Sequence, residues 1–298
     1  MSDEQFVPEV GPWAKEKLEC LGKYLAAYTT ILRKQKKFKG YVYIDAFAGS
    51  GKARIRERRN TDDSEIPFFS DLQQIEEDAE QEKFIEGSPR VALGLPHPFT
   101  RYVFVELSEK QRRKLKELKQ EHSDKKIRID DRDCSEYLLW MLSQKVKWEE
   151  WRGVVFLDPF GADVPWETVN ALGRTKSFEV FINFPWMAIT RLANNDGDIP
   201  EGHREILDRY FGSEKWFDVM YNQQQNLFGE AIYTKEQDAA KALVNWYRER
   251  LKTTFGHASA ARLIKNTKNS PLYYLIWAGP NPTGREIANY ILSQGDKI

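Results

Sequence analysis

The sequence predicts an α/β fold: a mostly parallel sheet with helices on both faces and an antiparallel hairpin at its C-terminal edge, in one domain over residues 1–298. Three observations predict it. Short runs rich in β-branched and aromatic residues recur at 41–45, 102–106, 153–158 and 178–183, each ending in an acid or amide. Stretches with helical spacing of apolar residues separate them, the alternation of a βαβ chain. Two later apolar runs, 260–264 and 272–278, are joined by only a few residues, too few for a parallel crossover, and so are expected to pair antiparallel.

The elements follow in order. An amphipathic helix is expected over 12–34, where Leu18, Leu21, Leu25, Tyr28 and Leu32 recur at three- and four-residue steps, Tyr24 and Ile31 widen the face and Gly40 stops it. The basic run from Arg33 to Lys39 has two readings: cations favoured at a helix C-terminus, or a phosphate-facing patch beside the turn that follows. That turn organises the chain. Val42 and Ile44 give the strand its core, and Asp45-Ala-Phe47-Ala-Gly49-Ser-Gly51 leaves it. Gly49 and Gly51 bracket Ser50, so the backbone can bend sharply and approach a ligand with no Cβ in the way. In open α/β sheets ligands bind beyond the carboxyl ends of strands, at a switch in strand order. The pattern is neither Gly-x-Gly-x-x-Gly nor the phosphate-binding loop. It resembles the first motif of Rossmann-like S-adenosylmethionine (SAM) methyltransferases, where such a loop packs against the methionine part of the cofactor. A tight turn without a ligand is the alternative.

Residues 52–86 read as an insertion, basic and then acidic, either a lid or substrate-binding element or a surface loop. The delayed helix is expected to start with Ser88 as N-cap and Pro89 in its first turn. The second strand ends in Glu106, and a carboxylate there can accept hydrogen bonds from both ribose hydroxyls. Ser108 opens a helix through Leu118, with Arg112, Arg113, Lys114 and Lys116 outward. The third strand, 126–129, leads to Asp133, where the superfamily often places an acid near the adenine amino group. Cys134 beside it reads as a half-buried neighbour with no base or positive field to activate it. Residues 136–147 are expected to be helical.

The fourth strand ends in Asp158-Pro159-Phe160-Gly161 and the fifth in Asn183-Phe-Pro-Trp186. Amino-group methyltransferases carry Asp/Asn-Pro-Pro-aromatic at the end of the fourth strand. There the carboxylate or amide and a backbone carbonyl accept hydrogen bonds from the target nitrogen, and the aromatic stacks on its base. This chain splits that pattern over two strands, and an ordinary strand-end turn is the plain alternative. Residues 190–255 read as a helical insertion, with a turn-rich 194–198 and a long helix over 234–252 that buries Leu243, Trp246, Tyr247 and Leu251. Pro282 opens a last helix through Leu292.

Lys+Arg and Asp+Glu both number 45, so a nucleic-acid surface must be a local basic patch. Cys20, Cys134 and the four histidines lack ligand spacing, so no metal is expected and a reducing cytoplasm fits. No signal peptide or membrane span is expected.

With these residues in view, the sequence resembles the three-Cys-motif partner protein (TcmP) family. The resemblance runs through Trp13, Lys17, Leu21 and Tyr24, the glycine turn, Gly87-Ser-Pro89, Phe104-Val-Glu106, Asp133-Cys134, Leu157-Asp-Pro-Phe-Gly161, Asn183-Phe-Pro-Trp186, and Leu275-Ile-Trp-Ala278 with Gly284. It implies a Rossmann-like methyltransferase fold and SAM as cofactor, met by Asp45, Phe47, Gly49, Gly51, Glu106, Asp133 and Cys134. Asp158 with Pro159, and Asn183, would then orient an acceptor nitrogen, and Phe160 or Trp186 would stack on a nucleic-acid base. The family's company implies a radical-SAM-like three-Cys protein as partner, in phage or mobile-element neighbourhoods. A non-catalytic or regulatory partner is the second expectation, favoured by the degenerate Asp-Pro-Phe-Gly. A nuclease is a third, which the lack of a close acidic cluster disfavours.

Overall fold

The computed structural model describes residues 9–10, 13–55, 84–225, 228 and 231–294. An eight-stranded sheet is its centre. Strand β2 (Gly40–Asp45) lies between β5 (Arg101–Val105) and β7 (Trp151–Leu157), all parallel. Outward from β5 comes β6 (Ile127–Asp130), and outward from β7 comes β8 (Phe178–Phe184), again parallel. The chain thus builds one half of the sheet from β2, then crosses to build the other half from β7, which places the switch in strand order between β2 and β7. Strand β13 (Pro271–Gly279) closes the sheet antiparallel to β8, and β12 (Arg262–Lys265) pairs antiparallel with β13, as the short connection requires. The two-residue β11 (His257–Ala258) also pairs with β13.

Alternation along the strands feeds two cores. Val42, Ile44, Val155 and Leu157 face one cluster, covered by α4 (Cys134–Ser143), α5 (Trp166–Arg174) and α9 (Ala239–Phe255). Tyr43, Val154 and Phe156 face the other, covered by α1 (Trp13–Leu32), α2 (Ser88–Leu93), α3 (Glu109–Glu121) and α10 (Pro282–Leu292). Burial on both faces explains why these strands read as unbroken apolar runs. Glu179 is an exception within β8. It is buried, accepts a hydrogen bond from Tyr24 of α1, and its carboxyl is pushed up to about 7 by burial.

Several expectations change. Ile31 is exposed because α1 rotates it off the sheet, and Gly40 begins β2 rather than ending the helix, which stops at Leu32. The basic run 33–39 precedes β2 and so lies at the amino-terminal end of the strands. That rules out a phosphate patch beside the glycine turn, which leaves the opposite end. Gly87, not Ser88, is the N-cap of α2; Pro89 sits in the first turn as expected. Arg112 folds back to donate to the Glu106 carbonyl at 3.0 Å, so it is not outward. Helix α4 stops at Ser143, four residues short of Lys147, and a 3-10 turn follows at Trp148–Glu150.

In the insertion, β3 (Lys52–Ile55) and β4 (Phe84–Glu86) pair antiparallel, and β1 (Glu9–Val10) runs beside β3. Residues 56–83, on which the lid expectation falls, lie outside the described residues. The segment read as a helical insertion holds α6 (Trp186–Leu192), α7 (Glu201–Phe211), α8 (Lys215–Met220) and α9, and also an unforeseen ribbon of β9 (Tyr221–Gln225) and β10 (Ala231–Lys235). Among the described residues no helix is long and apolar enough to cross a membrane.

Candidate functional site

Parallel register sets the site. Asp45 pairs with Phe104 on one side and Phe156 on the other, so Glu106 and Asp158, each two residues further on, flank the exit of β2. The turn itself hangs between its neighbours: Ala46 N–H donates to the Phe156 carbonyl and Ala48 N–H to the Val105 carbonyl, both at 3.0 Å. Gly49 and Gly51 have φ of 61° and 76°, the left-handed region that a side chain resists. A Cβ on Gly49 would sit 3.2 Å from Gln111 Oε1, and one on Gly51 would sit 3.1 Å from a methyl of buried Leu118. Both glycines are therefore required by the backbone.

Glu106 binds the turn directly. Its Oε2 accepts from Gly49 N–H at 2.9 Å and its Oε1 from Ser108 N–H at 2.8 Å. Each oxygen retains acceptor capacity for a further donor. Asp45 lies beneath the turn and is fully buried. It accepts from Tyr43 Oη at 3.0 Å and from Phe47 N–H at 3.4 Å, with the Ser88 hydroxyl as a third partner. Burial pushes its carboxyl up to about 7 against these donors. The structure therefore places Asp45 as an internal brace of the loop, with Phe47 partly buried against the core.

Strand β6 ends in Asp130, clamped by Arg128 and Arg132, whose hydrogen bonds hold its carboxyl down near 2. Asp133 follows as the N-cap of α4, using Oδ1 to accept from Ser135 and Glu136 N–H at 2.8 and 3.3 Å. It is exposed. Cys134 is fully in the core, not half-buried, and burial pushes its thiol well up. Any part it has in the site is as a wall.

On the other side of the turn the structure brings together residues far apart in sequence. Asn183 Nδ2 donates to Asp158 Oδ1 at 2.8 Å, so the two halves of the split motif meet. Lys17 Nζ donates to Asp158 Oδ2 at 2.5 Å from a side chain only 13% exposed, and its ammonium lies 5.4 Å from the Tyr273 ring centroid. The Asn183 amide must turn its nitrogen to the carboxylate, which leaves Oδ1 buried without a partner among the described residues. Pro159 is buried, Phe160 is 83% exposed, and Trp186 is partly buried against the core at the start of α6. Sequence reasoning did not single out Lys17 as a site residue. The signal was there: Lys17 is one helical turn before Leu21 and two before Leu25, a cation on the apolar stripe.

No protein-family model and no functionally curated protein matches the sequence. Among solved structures, the chain is similar to protein LPL1258 of Legionella pneumophila, described under the family model DUF519, with TM-score 0.50 and 14% identity over 92% of this chain and 90% of that one. It is less similar to a putative methyltransferase, yhhF, of Escherichia coli, with TM-score 0.31 and 13% identity over 72% and 86%. A putative SAM-dependent methyltransferase of Listeria monocytogenes gives TM-score 0.33 and 10% identity over 87% and 97%. The fold is Rossmann-like, a mostly parallel sheet whose strand order switches between β2 and β7 and which closes with one antiparallel strand. Likeness at these identities concerns the fold alone.

Proposed function

We propose that the chain is a SAM-dependent methyltransferase acting on an amino group, with a nucleic-acid base as substrate. The observation that carries this is the Lys17–Asp158–Asn183 cluster beside the glycine turn, with the Asn183 carbonyl oxygen buried and unpaired. An amine brings N–H donors, and this site presents acceptors: Asn183 Oδ1 and the carboxylate of Asp158. Lys17 fixes the carboxylate's orientation. The residues around the turn fit the cofactor. Gly49 and Gly51 keep the loop free of side chains, Glu106 has acceptor capacity left for ribose hydroxyls, and exposed Asp133 would be the acid that meets an adenine amino group. The cofactor, when bound, supplies an already activated methyl on a sulfonium, so the chain's work is positioning and electrostatics. Phe160, exposed beside Asp158, is the better placed of the two aromatics to stack on a base. A base within a duplex would have to be flipped out.

Calorimetry of SAM binding to the wild type and to Gly49→Val and Glu106→Ala tests the cofactor site, with binding expected only for the wild type. Methyl transfer to DNA and RNA is then expected to vanish in Asp158→Ala while SAM still binds. Wild-type protein that fails to bind SAM would sink the proposal. A second reading is that the chain belongs with the TcmP proteins as a non-catalytic partner of a radical-SAM-like three-Cys protein. One observation favours it: both Asp158 oxygens are already engaged. SAM binding without turnover, even with such a partner added, would select that reading.

A further inference from the structure

A cavity of about 470 Å³ lies at the end of the sheet away from the glycine turn. It opens between the amino-terminal ends of β5, β6 and β7 and the C-terminal part of α4. Its walls include four aromatic side chains, Tyr137, Trp140, Trp148 and Trp151. Among the described residues, its charged lining is Arg101, Lys126 and Arg128, with no carboxylate. Arg128 is ion-paired with Asp130 at 2.8 Å and lies 4.8 Å from the Trp140 ring centroid. Arg101 lies 5.2 Å from the Trp151 centroid. Arg101 and Lys126 are exposed and have no carboxylate partner among the described residues. The basic run 33–39 reaches the same end: Gly40, next in the chain, pairs with Trp151, and Arg152 stacks on Phe38 at 4.0 Å.

The chain as a whole has net charge zero, so this is a local concentration of cations. Aromatic walls take a planar ring by stacking, and unpaired cations at the rim take an anion. An acidic peptide would satisfy the cations but would bring no planar ring to the aromatic walls, where arginines already stack on Trp140 and Trp151. A nucleotide carries a planar ring and a phosphate on one scaffold. We propose that this cavity is a nucleotide-binding site that takes one base-and-phosphate unit, either a free nucleotide or one residue of a single strand. It is separate from the candidate methyl-transfer site and does not depend on that reading.

The test is anisotropy of a labelled oligouridylate with the full chain, and its competition by uridine 5′-monophosphate, which lacks the adenine that a SAM site would accept. Trp140→Ala is expected to weaken binding about tenfold or more through lost stacking. Arg101→Glu with Lys126→Glu is expected to weaken it and to flatten its salt dependence. The melting temperature is the control for folding, so the result stands whether or not SAM binds. Competition by the mononucleotide would identify a free nucleotide as ligand, and binding of the oligonucleotide alone would identify a strand; either sustains the proposal. A wild type that binds neither, or folded variants that both bind as the wild type does, would overturn it.

Discussion

Replacing Asp45 with Asn removes a carboxyl that is fully buried beneath the glycine turn and that titrates near neutrality. Its value rises from 3.8 to about 7 through burial, opposed in part by the Ser88 and Tyr43 hydroxyls. In the unfolded chain it returns to the ordinary range. Between the two values the native state holds a proton that the unfolded state has lost, so stability falls as pH rises. The slope reaches at most about 1.4 kcal/mol per pH unit, and an interval of about three pH units makes the whole effect about 4 kcal/mol. The contribution of the protonated carboxyl is complete below about pH 4 and gone above about pH 7. Asparagine has the same shape, stays neutral, and keeps an acceptor for Phe47 N–H. The stability of the wild type minus that of Asp45→Asn should therefore decline across that window and level off beyond it. Urea unfolding of both proteins at several pH values measures this, and taking the difference cancels every other titrating group. A flat difference, or one that grows with pH, would mean the carboxyl is ionised and solvated in the native state, and would refute the brace.

Gly51→Ala should cost about 2 kcal/mol, from the left-handed backbone and the approach to Leu118, read as a lowered urea midpoint at unchanged slope. Lys17→Met should lower stability by about 2 kcal/mol, through one lost charged hydrogen bond in a largely covered pair. It should also cut methyl transfer about a hundredfold or more through a misplaced Asp158, with SAM affinity retained; equal loss of both would place Lys17 in the cofactor site instead. Neither Cys20 nor Cys134 should react with a thiol reagent in the native state, and both should react on denaturation, because both thiols are buried and pushed up.

What the sequence disclosed was what is local. The glycine turn was legible because Gly49 and Gly51 serve a backbone need that no side chain meets. The late hairpin was legible because a short connection dictates antiparallel pairing. Polar residues at the strand ends were legible as candidates, since parallel strands deliver their ends to one side of the sheet. The contact between Lys17 and Asp158 was not legible, because it spans 141 residues and depends on how α1 lies across the sheet. The β9–β10 ribbon escaped because Asn222-Gln-Gln-Gln225 is polar on both faces and carries no alternation. The basic run before β2 was ambiguous in sequence since either end of a sheet can be basic, and only the strand direction assigns it.

Helix α1 is held by partners made much later in synthesis. Glu16 pairs with Arg262, 246 residues on, and the Tyr273 hydroxyl donates to the Trp13 carbonyl. At translation rates of about 5–20 residues per second, those partners emerge on the order of ten seconds or more after α1. Throughout that interval the apolar stripe of Leu21, Tyr24 and Leu25 lacks its neighbours Ile264, Leu275 and Trp277, and Lys17 has no β13 beside it. A nascent chain stalled before β12 would thus carry a finished glycine turn and a first helix without its β12 and β13 partners. The site closes only when the two distant ends of the described chain meet.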